Sequence, residues 1–183
     1  DGLLGRSESD VLFLTHDWLA CWWNHFGKPR RPRGKTELFV LLARRSGRLC
    51  AAAPLLIERA TAWKVPLRLV RFLGHGVSDY SDIPAERGAE GALEAIGEHL
   101  AARGQAWDVL LLEELRSSPA RIDLVKKGLE KNGFETRTTP ASLCPFSRIE
   151  GEWETQYCRH FSPKRRRENR RLWNNLQKAG GLR

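Results

Sequence analysis

Between residues 16 and 26 apolar side chains recur at helical spacing: Trp18, Leu19, Trp22, Trp23 and Phe26 form one wide stripe. Thr15 is a good N-cap for this helix, and Gly27 closes it. Two adjacent tryptophans invite base stacking, but at this spacing they read as core. The period then changes. Residues 37–44 and 48–58 are apolar runs joined by Ser46-Gly47, a hairpin turn signal, and 65–73 is a third run. Together they predict a three-stranded antiparallel meander, with Pro54 marking an edge position or a bulge.

Leu93, Ile96 and Leu100 predict a helix over about 90–103, ended by Gly104. Residues 107–112 (WDVLLL) read as a strand buried on both faces, reached from 65–73 by a β-α-β-like crossover. Ser118 as cap and Pro119 at the first helical position open another helix. Ile122, Val125 and Leu129 face the core there, and Gly133 stops it. Short strands are expected over 134–138 and 144–149, then a short helix over 153–161 and a last helix opened by Ser162-Pro163. In that last helix Leu172, Leu176 and Ala179 share a side with Trp173. Lys164, Arg165, Arg166, Arg167, Arg170 and Arg171 crowd its start and its other faces. The predicted class is α/β (α+β): a mixed, mainly antiparallel sheet flanked by helices over 1–150, followed by a helical segment over 151–183.

A hydrophobic content of 41% with seven Trp and seven Phe supports a real core, which excludes a disordered chain. The net charge of +9 makes acidic partners plausible, whether nucleic acid, anionic lipid or a phosphorylated cofactor, against the plainer reading of an ordinary basic soluble protein. Four cysteines stand far apart with no metal spacing, so neither a metal site nor a disulfide scaffold is expected. No apolar run is long enough to span a bilayer and no signal-peptide pattern is present; the expected compartment is the cytoplasm. The chain opens without Met and stops just after Gly180-Gly181, which reads as a piece of a longer protein.

Candidate chemistry gathers in Arg71-Phe72-Leu73-Gly74-His75-Gly76-Val77-Ser78-Asp79-Tyr80-Ser81-Asp82, a polar loop at the end of a strand. Arg71, Gly74 and Gly76 fit the (Gln/Arg)-x-x-Gly-x-(Gly/Ala) pattern by which GNAT-fold N-acetyltransferases hold the pyrophosphate of coenzyme A. Backbone N–H groups of a glycine-rich turn bind anions in this way. Asp79 and Asp82 flank Tyr80 and suit the orientation of an amine or a sugar hydroxyl, or one of them serves as general base. The plainer alternative is a turn in which Asp and Ser fold back on their own backbone. Of five histidines only His75 stands in such a place. The cations of 164–171 suit phosphate, against the alternative of a solvated helix face. No G-x-S-x-G and no Cys-His constellation supports nucleophilic catalysis.

Five phrases occur in order: FLTHDWLACWWNHFG, the Ala-Pro-Leu-Leu of 53–56, RFLGHGVSDYSD, WDVLLLEEL and SPKRRRENRRLWNNLQKAGGL. Jointly they resemble the CelD-like acetyltransferases, a GNAT-superfamily group named for a protein of bacterial cellulose biosynthesis and related to the FemABX peptidyltransferases. The resemblance covers nearly the whole chain and implies the first of two tandem GNAT-like halves plus the connecting basic helix. It implies acyl transfer from acetyl-CoA or another acyl-CoA to an amine or hydroxyl of an amino sugar, polysaccharide precursor or similar small acceptor. It implies that Gly74, Gly76, Asp79, Tyr80 and Asp82 lie on the family's characteristic loop, at the acceptor side of a cleft between the halves. Lys164, Arg165, Arg166 and Arg170 then lie on its basic helix near anionic substrate, with the acyl-CoA site mainly in the second half. The rival class is a basic nucleic-acid-binding module without catalysis, which requires steep salt dependence.

Overall fold

The computed structural model describes residues 2–9, 11–27, 36–62, 64–115, 120–140 and 150–180. It divides into two compact units, Asp1–Pro140 and Ala141–Arg183.

The first unit is built on one bent hairpin. Ser46 and Gly47 both take positive φ (49° and 79°), the conformation that two-residue hairpin turns require. They join β2 (Leu41–Arg45) to β3 (Arg48–Ala53). The same register runs on into β1 (Thr36–Leu38) against β4 (Leu55–Ala62), since Leu41 faces Ala53 and Leu38 faces Leu56. Pro54 falls at the break. It has no N–H to donate, so the two long strands expected over 37–44 and 48–58 each become two. β5 (Val65–Phe72) then pairs with β4 over eight residues, and β6 (Val109–Leu110) pairs with β5 in parallel. The four-stranded sheet is ordered β1-β4-β5-β6, with β2-β3 apart. This is a mixed α/β fold with a mostly antiparallel sheet flanked by helices.

Leu55 and Leu56, adjacent on β4, are both fully buried because the sheet is covered on both faces at this point. Leu55 joins Leu93, Ile96 and Leu100 of α2 (Glu90–Ala102) and Val125 and Leu129 of α3 (Ala120–Glu130). Leu56 lies under Trp22 of α1 (His16–Trp22) with Leu73. The two helices α2 and α3 touch through glycine: a Cβ on Gly97 would stand 2.1 Å from the Val125 carbonyl oxygen, and one on Gly128 would stand 2.3 Å from that of Glu94.

Three expectations need correction. Residues 107–112 are not a doubly buried strand: β6 ends the sheet among the described residues, leaving Val109 and Leu111 about 40% exposed (40% and 39%). Residues 134–138 form no strand; Phe134 instead packs its ring on Trp107, centroids 5.0 Å apart. The first helix does not run regularly to 26, because it widens into a π-turn over Trp23–Gly27. The strand expected over 144–149 and the Ser118 cap lie outside the described residues.

The second unit contains α4 (Trp153–His160) and α5 (Pro163–Ala179). Ser162 caps α5 by accepting from the Arg165 N–H, as a Ser-Pro start predicts. Arg166 donates to the carbonyls of Cys158 (2.9 Å) and Phe161 (3.1 Å) and so closes the end of α4. No residue of either helix is buried.

Candidate functional site

The glycine turn after β5 is anchored from two sides. The Leu73 N–H donates to the Pro54 carbonyl at 2.8 Å. Gly74 has φ +91°, and a Cβ there would stand 2.3 Å from the Ser78 hydroxyl oxygen. That hydroxyl in turn accepts from the indole N–H of Trp18 at 2.8 Å, which ties α1 to the turn. Within the turn, His75 N–H donates to Phe72, and Val77 and Ser78 N–H donate to Gly74. A phosphate cradle needs such N–H groups directed outward. Most of them here are turned inward.

Arg71, the cation of the same pattern, is also engaged. Its guanidinium donates to Glu58 at 3.0 Å and to Glu113, and its Nε is buried without a hydrogen-bond partner. Two carboxylates against one guanidinium leave this cluster net negative, an unfavourable setting for pyrophosphate. His75 joins it from the turn, its Nε2 3.7 Å from Glu58. Burial, and then the charge of Arg71, push the His75 ring below its ordinary value of 6.5, against the opposing pull of Glu58 and Glu113. The imidazole is therefore neutral at pH 7 and able to accept a proton.

His75 and Glu58 face a cavity of about 270 Å³ lined also by Trp22, Phe26, Thr36 and Val77, with Gly27 and Gly76. Each wall has a local cause. Trp22, at the end of α1, is in ring contact with His75 (5.1 Å), and the π-turn that follows carries Phe26 against Trp22 (6.2 Å). Such turns recur at functional sites. It leaves Phe26 66% exposed, so the apolar stripe of α1 is only partly core. Glu58 and Thr36 are direct cross-strand partners of β4 and β1. Glu58 also shares a sheet face with Leu56, the residue under Trp22.

Of the residues singled out in the loop, His75 and Gly76 line this cavity; Arg71, Gly74, Asp79, Tyr80 and Asp82 do not. Asp79 is exposed, and Tyr80 is half-buried with φ +57°, a rare backbone for a bulky side chain. Asp82 is occupied: it accepts from the Ser9 hydroxyl and from the Ile83 N–H (2.7 Å), and Arg121 lies 3.6 Å away. These contacts tie the N-terminal segment and α3 to the loop, which is a structural duty. Lys164, Arg165, Arg166 and Arg170 belong to the second unit. Sequence reasoning missed Trp22, Phe26, Thr36 and Glu58 as site residues. The one available signal was Glu58, a carboxylate near the end of an otherwise apolar run.

Among the described residues no group of three His, Cys, Asp or Glu could hold a metal ion, and no helix is long and apolar enough to cross a membrane. Comparison with protein-family models, curated proteins and solved structures returned no match.

Proposed function

We propose that the chain is the acceptor-binding part of an acyl-CoA-dependent acyltransferase of the GNAT type, the first of two such halves. Its acceptor is an amino sugar, a polysaccharide precursor or a similar saccharide carrying an amine or hydroxyl. The observation that carries this is the His75–Glu58 pair inside an aromatic-walled cavity at the glycine turn. The exposed ring of Phe26 beside the edge of Trp22, with one carboxylate and one neutral imidazole, suits a ring bearing hydroxyl and amino groups.

The chemistry follows from those residues. The acceptor oxygen or nitrogen gives its proton to the His75 ring as it attacks the thioester carbonyl. Glu58 stabilises the imidazolium that forms. The carbon–sulfur bond breaks, the thiolate of coenzyme A departs, and the proton on His75 is returned to it. Arg71 keeps Glu58 in place and takes no part in holding phosphates. Asp79 remains accessible to orient an acceptor at the rim, whereas the bonds to Asp82 suit it to holding the loop.

The test is binding of glucosamine to the chain, read by titration calorimetry, in the unaltered chain and in its His75→Gln and Glu58→Gln forms. Glu58→Gln should weaken binding about 10- to 100-fold, the usual worth of a hydrogen bond to a charged group, and His75→Gln should weaken it less. Undiminished affinity in both variants, or no binding of amino sugars at all, would remove the proposal.

A further inference from the structure

On α5 the side chains sort by direction. At 3.6 residues per turn Lys164, Arg167, Arg171 and Lys178 fall within an arc of roughly 60°, with Arg170 about 60° to one side. Leu172, Leu176 and Ala179 occupy a second arc centred roughly 120° away, with Trp173 beyond it. The cations of the first arc are exposed, and none of them forms an ion pair among the described residues. Arg165 and Arg166 are different: one is paired with Glu168 at 3.4 Å, and the other is held by the carbonyls at the end of α4.

Such a stripe is unfavourable in isolation. Lys164 and Arg167, and then Arg167 and Arg171, are like-charged neighbours at i,i+3 and i,i+4, and Lys164 stands in the first turn, at the positive end of the helix dipole. An external anion reverses both effects. Its shape can be read from the stripe, which runs straight for about 21 Å, 14 residues at 1.5 Å each. A single diphosphate would meet only two or three of these cations. A nucleic-acid backbone supplies a row of that extent, with one phosphate per about 3.4 Å of axis on each strand of a duplex. An anionic lipid surface fits less well. An interfacial helix sinks its apolar face and keeps its cations at the border of that face. Here sinking Leu172 and Leu176 would turn the stripe towards water.

We infer that α5 binds the phosphate backbone of a nucleic acid, independent of base sequence, through Lys164, Arg167, Arg171 and Lys178 with Arg170 beside them. This goes beyond the acyl-transfer proposal and does not depend on it, since none of these residues lines the His75 cavity.

The experiment is fluorescence anisotropy of a labelled 20-base-pair duplex with the whole chain, titrated between 50 and 200 mM salt. Four neutralised phosphates give a slope of log K against log salt of about −3.6, a loss of about 100-fold over this range. In Lys164→Gln/Arg167→Gln/Arg171→Gln the slope falls to about −1, because each lost contact removes nearly one unit. Removing the same charge from the first unit, in Lys64→Gln/Arg103→Gln/Arg137→Gln, leaves the slope unchanged. Circular dichroism verifies that the helix survives in each variant. A shallow slope for the unaltered chain, or an equal fall in both triple variants, overturns the inference. So does binding confined to phosphatidylserine vesicles and lost in Leu172→Ala/Leu176→Ala, which would assign the helix to a lipid surface. Tight binding of coenzyme A itself, with none of the duplex, would assign the stripe to a single nucleotide.

Discussion

The two units carry the same kinds of residues and use them in opposite ways. In the first, Trp22 and Trp107 are buried at 6% and 5% exposure and Leu55 and Leu100 are fully enclosed. In the second, Trp153, Trp173 and Leu176 are all more than half exposed. Both units have amphipathic helices. The difference is that α1, α2 and α3 each find a sheet or a helix to lie on, while α4 and α5 are joined by the capping Arg166 and by the Asn169 amide, which donates to the Tyr157 hydroxyl at 3.1 Å. A helix so disposed draws little stability from tertiary contacts, and its side chains remain available to something outside the unit. The same contrast holds for arginine: Arg71 is closed off between Glu58 and Glu113, whereas Arg167 and Arg171 face solvent.

The sharpest way to break this comparison is truncation of matched leucines. Leu100→Ala should cost about 2–5 kcal/mol in urea unfolding, the usual range for an enclosed leucine. Leu176→Ala should stay within about 0.5 kcal/mol, as surface substitutions do. Equal costs would mean that α5 is covered after all. Next in size is Gly128→Ala, which drives a methyl into the Glu94 carbonyl and should cost about 1–3 kcal/mol by forcing α2 and α3 apart. A neutral result would show that the helices can separate freely.

A smaller effect sharpens the contrast between enclosed and solvated charge. The unfolded chain protonates His75 near 6.5, whereas the folded chain resists until lower pH. More protons are thus bound by the unfolded state in the window below 6.5, and stability rises with pH across it. The contribution is complete above 6.5 and is lost as the pH falls through the folded value. Urea midpoints measured from pH 7.5 to 5 should show this slope, and His75→Gln should flatten it. An identical slope in the variant would place the titrating group elsewhere.

Much of the frame was legible in the sequence. Ser46-Gly47 specified the hairpin turn, the spacing of Leu93, Ile96 and Leu100 specified α2, and Ser162-Pro163 specified the start of α5. These signals are local, each resting on a few neighbouring residues and their backbone preferences. What lay between them was read less well. Pro54 was visible, but its effect was to divide two strands at one level of the hairpin, and that depends on which residue stands across from it. The pattern around Arg71 was equally visible. Its charge is answered by Glu58 and Glu113, residues 13 and 42 positions away in the chain.

The periods of apolar residues, the turns and the caps thus came from the sequence by itself, since local sterics and hydrogen bonding suffice to set them. The tertiary structure alone decided which apolar stripe is covered, which arginine is neutralised, and that His75, Glu58, Trp22 and Phe26 share one cavity. The physical reason is that burial and charge pairing depend on distance in space, and residues brought within a few ångströms leave no period in the chain.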